Sequence, residues 1–280
     1  MPETVLEMTL LLALGGLAAG LIGALTGLGG GVVIVPLLAM VFAVDMRYAI
    51  GTALVSVIAT SSGSAAAYVK EGYSNVRVGM FLEVATTLGA VGGAVVAGYI
   101  STHAIAVIFG LVLLFSAYLS WRPRGSGTAI DRPDPLATWL NLNGSFPTEN
   151  GRQSYYVHHV PLGWAVMFVA GLLSGLLGIG SGALKVLAMD QVMRLPFKVS
   201  TTTSNFMIGV TAAASAGIYL RRGYITPGLA MPVMLGVLLG AVLGARLLVR
   251  AQVGVLRVVF SIVIVVLAGQ MIYRGFQGTL

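Results

Sequence analysis

Apolar stretches at 6–44, 48–69, 78–99, 104–119, 162–193, 199–220, 229–249 and 256–272 leave this chain little choice of fold. Most are about 20 residues long, enough to cross a hydrocarbon core of roughly 30 Å at about 1.5 Å per residue. The core of a soluble domain has no use for so many. With 57% hydrophobic and only 9% charged residues in 280, and a mean hydropathy of +0.94, the chain reads as an all-α polytopic membrane protein. Helices are expected because a segment in lipid must satisfy its own backbone hydrogen bonds.

The same composition excludes other classes. There is no cysteine, so disulfides, thiolate metal sites and cysteine nucleophiles are all absent. The net charge of +7 sits singly or in pairs beside apolar segments, which points to membrane topology and away from nucleic acid. Glu3 and Glu7 precede any Lys or Arg, unlike the basic start of a cleavable signal, and the first segment is expected to stay in the mature protein. His103 lies at a loop and His158 and His159 lie between apolar blocks, so no histidine or close carboxylate pair equips the membrane segments for catalysis. No enzyme activity, cofactor or metal is expected.

An offset of 151 residues (178 − 27) superimposes the two halves without a gap. Gly27, Gly29 and Gly31 fall on Gly178, Gly180 and Gly182, Thr52 on Thr203, Tyr68 on Tyr219, and Gly72-Tyr73 on Gly223-Tyr224. Gly89 and Gly93 fall on Gly240 and Gly244. Chance covers aliphatic matches in such a composition but not the Thr, Tyr and Gly-Tyr pairs. The expected organisation is a first transmembrane repeat at 1–121, a linker at 122–161 and a second repeat at 162–280. The linker is rich in Pro, Gly and charge at its start, and its Asn-Gly turns between short alternating runs suggest a small hairpin. Asn143-Gly144-Ser145 matches a glycosylation sequon, for which chance suffices.

Both repeats interrupt their first apolar stretch with glycine, at "GLGGG" and "GIGSG". Packing between intact helices is the preferred reading for Gly89/Gly93 and Gly240/Gly244, spaced four apart. For the clusters at 27–31 and 178–182, a broken or re-entrant first helix fits better, because the part beyond the glycines is too short to span. A restarting helix leaves N–H groups unpaired, and such backbone is tolerated at membrane depth only inside protein or along a wet path. Paired interruptions in two repeats are the usual mark of a transporter site, and free N–H groups favour an anion.

The segments "GLIGALTGLGGGVVIVPLL", "AIGTALVS", "GLLSGLLGIGSGALKVLAMD" and "KVSTTTSNFMIG" together resemble the TauE/SafE family of sulfite and organosulfonate exporters. The resemblance extends over both repeats. It implies an inner-membrane, multi-pass carrier that moves sulfite, sulfonates or similar sulfur-containing anions, usually outward. Ser181 stands where the family commonly has glycine, and Leu187 where proline often follows.

The candidate substrate site combines backbone N–H groups at Gly29, Gly30, Gly31, Gly180, Ser181 and Gly182 with donors from Thr52, Thr203, Ser204 and Asn205 and the cation of Lys185. Lys185 faces Ile34 in the repeat register, so one charge makes the duplication asymmetric. A cation in a membrane segment marks a site or pathway by default; snorkelling or pairing with Asp190 is the plainer alternative. Glu83, facing Met234, could carry a coupling proton, although its place near the segment's start favours an interfacial carboxylate pairing with Arg77 or Lys70.

The expected function is a secondary transporter working by alternating access, with an anion channel or an uptake permease for a related organic anion as alternatives. The expected partners are a small anionic substrate and membrane lipid, and a homo-oligomer is compatible with the sequence. Charge bias barely separates parallel from inverted repeats. The acidic, Lys/Arg-free N-terminus fits the outside, which selects inverted repeats with a cytoplasmic linker.

Overall fold

Each half opens on a long apolar helix followed by a short one. In the computed structural model, which describes residues 4–26, 30–70, 74–121, 134–148, 151–248 and 253–278, α1 covers Val5–Thr26 and a short helix α2 covers Gly31–Pro36. Helix α2 runs on into a π-helical turn at Leu37–Val41, followed by α3 (Met46–Lys70), α4 (Val76–Val96) and α5 (Thr102–Trp121). After the linker the same order of elements returns. Helix α7 (Val160–Leu177) is followed by α8 (Gly182–Leu187) and a π-helical turn at Ala188–Val192, then α9 (Phe197–Arg221), α10 (Pro227–Leu248) and α11 (Val253–Gln277).

The main helix pairings each join one half to the other. Helix α1 packs on α10, α4 on α7, α3 on α9 and α5 on α11. Helices α1, α4, α5, α7, α10 and α11 carry exposed side chains such as Leu14, Leu88, Phe115, Val169, Leu239 and Val266, as an outer layer facing lipid should. Four described helices are long and apolar enough to cross a membrane: Val5–Gly23, Val76–Val96, Val160–Leu177 and Pro227–Gly244. The α3/α9 pair is different in kind. It carries the hydroxyls of Thr52, Ser56, Ser61, Thr202, Thr203, Ser204, Thr211 and Ser215, all buried. Shielded by the outer helices, these two can afford polarity that a lipid-facing helix cannot.

Glycine sets how closely the halves approach. A Cβ on Gly89 or Gly93 of α4 would strike the Phe168 or Leu172 carbonyl of α7, and one on Gly171 or Gly175 of α7 would strike the Thr86 or Ala90 carbonyl in return. Helices α1 and α10 repeat the device: Gly16 and Gly20 meet Val233 and Val237, while Gly236 and Gly240 meet Ala13 and Leu17. Backbones in van der Waals contact gain dispersion where lipid supplies no hydrophobic drive. Gly244, also expected to serve packing, is buried.

The described part of the linker, 134–148 and 151–161, is built into the protein. Asp134 caps the short helix α6 (Pro135–Trp139) by accepting from Leu136 N at 2.9 Å. Strands β1 (Gly144–Thr148) and β2 (Gly151–Tyr155) pair antiparallel, with Gly144 opposite Tyr155 and Thr148 opposite Gly151. Leu142, Val157 and Val160 share a buried cluster with Val78 and Leu82 of α4 and with Met189, Met193 and Leu195. The Asn143 carboxamide is committed at both ends, accepting from Val157 N and donating to Thr138 Oγ1. A glycan on that nitrogen would break the arrangement.

Candidate functional site

The two glycine interruptions lie against each other. A Cβ on Gly31 would sit 2.8 Å from the Gly178 carbonyl oxygen and 3.3 Å from the Ile179 Cα, so the start of α2 touches the loop that precedes α8. Helix α3 passes the same point, because a Cβ on Gly178 would lie 3.0 Å from the Ile50 carbonyl oxygen. The second interruption owes its shape to left-handed backbone: Gly178 has φ 69°, Gly180 φ 72° and Ser181 φ 48°. Glycine takes such angles freely, whereas Ser181 takes them at a cost of about 1–2 kcal/mol. At the start of α2, Gly30 has φ −65°, in ordinary helical space.

The expected donors are brought together in part. Gly29 lies outside the described residues, whereas Gly30 and Gly31 are buried at the start of α2. Thr52 and Ser181 are buried, and their hydroxyl oxygens have no hydrogen-bond partner among the described residues. Gly180 lies against Ile208 and Val57, and the Gly182 carbonyl accepts from Ser204 Oγ at 3.3 Å. Thr203 accepts from the Asn75 backbone N–H at 3.0 Å, so it supports the start of α4. The Asn205 carbonyl accepts from Ser61 Oγ on α3, and the Asn205 side chain is half-buried.

Lys185 is neither solitary nor snorkelling. It has no solvent exposure, and its Nζ donates to Thr211 Oγ1 at 2.5 Å. Its ionic partner is Glu83 on α4, with Oε2 3.9 Å from Nζ, and not Asp190. Nor does Glu83 serve as an interfacial carboxylate for Arg77, which is exposed, and the Lys70 side chain lies outside the described residues. Glu83 is instead 8% exposed, inside the protein. Its Oε1 accepts from Thr211 Oγ1 at 2.6 Å and from Thr87 Oγ1 at 3.2 Å, while Oε2 has no hydrogen-bond partner among the described residues. Thr211 thus bridges the two charged groups, accepting from one and donating to the other. Such a pair is held together by the cost of burying either charge alone.

The start of α4, the helix that carries Glu83, is tied to the linker through Asn75. Asn75 caps α4 by accepting from Val78 N at 3.1 Å, and its Nδ2 donates to Tyr155 Oη at 2.8 Å and to the Leu142 carbonyl. Burial pushes the Tyr155 phenol up from its ordinary value, and the Asn75 contact offsets part of that.

A family model described as "Sulfite exporter TauE/SafE" matches residues 12–271, nearly the whole of this helical assembly. The chain belongs to the TauE/SafE family. Among its relatives is a probable membrane transporter protein of Bacillus subtilis (strain 168), YunE, 29% identical over 267 residues that cover 93% of this chain and 96% of the relative. A second from the same organism, YdhB, is 26% identical over 78% of this chain and 81% of its own length. A probable membrane transporter protein of Xylella fastidiosa (strain 9a5c) is 26% identical over 98% of each chain. No solved structure matches. With its apolar helices, this TauE/SafE protein is a multi-pass membrane transporter.

Sequence reasoning missed two hydroxyls of the Lys185–Glu83 centre, Thr211 and Thr87. Glu83 and Thr87 stand four apart on one helix, a spacing that puts their side chains together, and this signal was available. Thr211 was not separable by pattern from the many other hydroxyls of α9.

Proposed function

We propose that the protein is a secondary transporter of small sulfur-containing anions such as sulfite or sulfonates. It works as an exporter by alternating access, with two inverted repeats rocking around their paired glycine breaks. The observation that carries this reading is Lys185. A fully buried cation in α8, just past the second glycine cluster and held with Glu83 through Thr211, marks a substrate or ion path by default in a membrane segment. Thr52 and Ser181, with unpartnered buried hydroxyls, are neutral donors for the same substrate. The reciprocal pairing of α1 with α10 and α4 with α7 supports a duplicated architecture in which each half grips the other in the same way. No Walker-type motif occurs in the sequence, so ion or substrate gradients are the driving force.

Counterflow in proteoliposomes tests the class. A carrier loaded with unlabelled anion accumulates labelled anion transiently against its gradient, whereas a channel only equilibrates it. Inverted repeats place the N-terminus outside and the linker inside. Cysteines placed singly at Glu3 and at the exposed Trp139 of this cysteine-free chain should therefore react from opposite faces. Labelling from one face would contradict the inverted arrangement.

A further inference from the structure

We infer that the Glu83–Thr211–Lys185 cluster couples each monovalent anion to one proton moving in the same direction. This rests on the proposed binding of the anion at Lys185. The cluster holds a buried ion pair, Lys185 Nζ lying 3.9 Å from Glu83 Oε2. Its net charge is zero whether the proton sits on the lysine or on the carboxyl. The elements packed against Glu83 bring few other charges: Lys198, Arg221 and Arg222 lie at the ends of α9, His159 precedes α7, and Arg77 lies exposed on Glu83's own helix. Only Lys185 approaches the carboxylate.

An anion that docks on Lys Nζ must share it with the resident carboxylate. Adding a monoanion to the neutral pair would leave a net negative charge buried beside Glu83, which costs several kcal/mol. A proton on Glu83 removes that charge. The group is arranged for this change: Oε1 is held by Thr211 and Thr87, while Oε2 is buried and without a hydrogen-bond partner. The proton is taken onto Oε2, the carboxyl becomes neutral, and the ammonium is released to the anion. Thr211, which accepts from Nζ and donates to Oε1, stays as the spacer between them. On release of the anion at the other face, the proton leaves Oε2 and the ion pair reforms. Anion and proton therefore bind cooperatively, and the loaded cycle carries no net charge across the membrane. A membrane potential alone would then neither drive nor oppose it.

Methanesulfonate is a suitable probe because it stays a monoanion throughout the working pH range, so any titration belongs to the protein. Linkage of one bound proton to each bound anion predicts that wild-type affinity falls as pH rises, by up to about tenfold per unit. In proteoliposomes, an outward methanesulfonate gradient should move protons outward one for one, with an initial rate unchanged by a potassium diffusion potential. Glu83→Gln, which mimics the protonated carboxyl, should flatten the pH dependence to within about twofold per unit and abolish the proton flux. Wild-type transport that is accelerated by the potential and moves no protons overturns the coupling, even if Glu83→Gln fails to fold. PH-dependent binding that persists unchanged in Glu83→Gln overturns the assignment to this carboxylate. Unchanged methanesulfonate affinity in Lys185→Met instead overturns the underlying anion site. Absence of saturable methanesulfonate binding to the wild type at any pH contradicts the substrate class and the coupling with it.

Discussion

The two interruptions occupy corresponding places and are built from different chemistry. In the first, Gly30 keeps helical angles and α2 continues with Val32, Val33, Ile34 and Val35, all buried and aliphatic. In the second, three left-handed residues turn the chain, and α8 carries Lys185 at the position that corresponds to Ile34 (185 − 151 = 34). Glu83 likewise corresponds to Met234 (83 + 151 = 234). The helix pairings are reciprocal, whereas the Lys185–Glu83 pair belongs to one centre alone. A protein with identical charges in both halves would carry two binding centres. This one places its Lys185–Glu83 pair where α4, α8 and α9 meet.

The comparison breaks most severely if the charge is copied into the wrong half. Ile34→Lys buries an ammonium with no carboxylate opposite, since Met234 stands in that role, and should cost several kcal/mol. The expected result is loss of folded protein by size-exclusion chromatography, with partial recovery in the double variant Ile34→Lys/Met234→Glu. Normal yield of the single variant would mean that the first interruption is wetter than its aliphatic lining implies.

A smaller effect sharpens the reciprocal packing. Gly93→Ala would press a methyl on the Leu172 carbonyl, and Gly240→Ala would press one on the Leu17 carbonyl. Each should cost about 1–3 kcal/mol by overpacking, read as comparable drops in thermal midpoint. A large drop for one and none for the other would show that the α4/α7 and α1/α10 contacts are not equivalent.

The smallest effect separates Thr52 from its counterpart Thr203. Thr203→Val leaves the Asn75 N–H without its acceptor and should lower stability by about 1–3 kcal/mol. Thr52→Val removes a hydroxyl that has no partner among the described residues, so stability should hold while anion affinity falls by up to about tenfold. The reverse pattern in a thermal-shift titration would exchange their roles.

Much of this was legible in residues alone. Apolar runs longer than a bilayer is thick can become little but helices, and glycines four apart on α4 foretold close backbone contact with another helix. Lys185 stood out because a cation in such a run is costly and corresponds to an aliphatic Ile34 in the other half. Its partner was not legible. Glu83 precedes it by 102 residues (185 − 83), and a carboxylate two turns into a helix looks interfacial until α7 and α9 are known to close over it. The linker misleads in the opposite sense, since its polar, turn-rich sequence conceals how far Leu142, Val157 and Val160 enter a buried cluster.

The most direct test of the account is a titration of purified Lys185→Met with the best-binding anion from a thermal-shift panel of sulfite, thiosulfate, sulfoacetate, taurine and sulfate. Loss of a charge-assisted hydrogen bond worth roughly 1.5–3 kcal/mol predicts affinity weakened about ten- to a hundredfold. Lys185→Arg should restore part of it, since its fork is shaped differently but remains cationic. Because Lys185→Met strands Glu83, the double variant Lys185→Met/Glu83→Gln keeps the centre neutral and should regain stability without regaining affinity. Wild-type affinity in either lysine-to-methionine protein would contradict the claim that Lys185 holds the substrate.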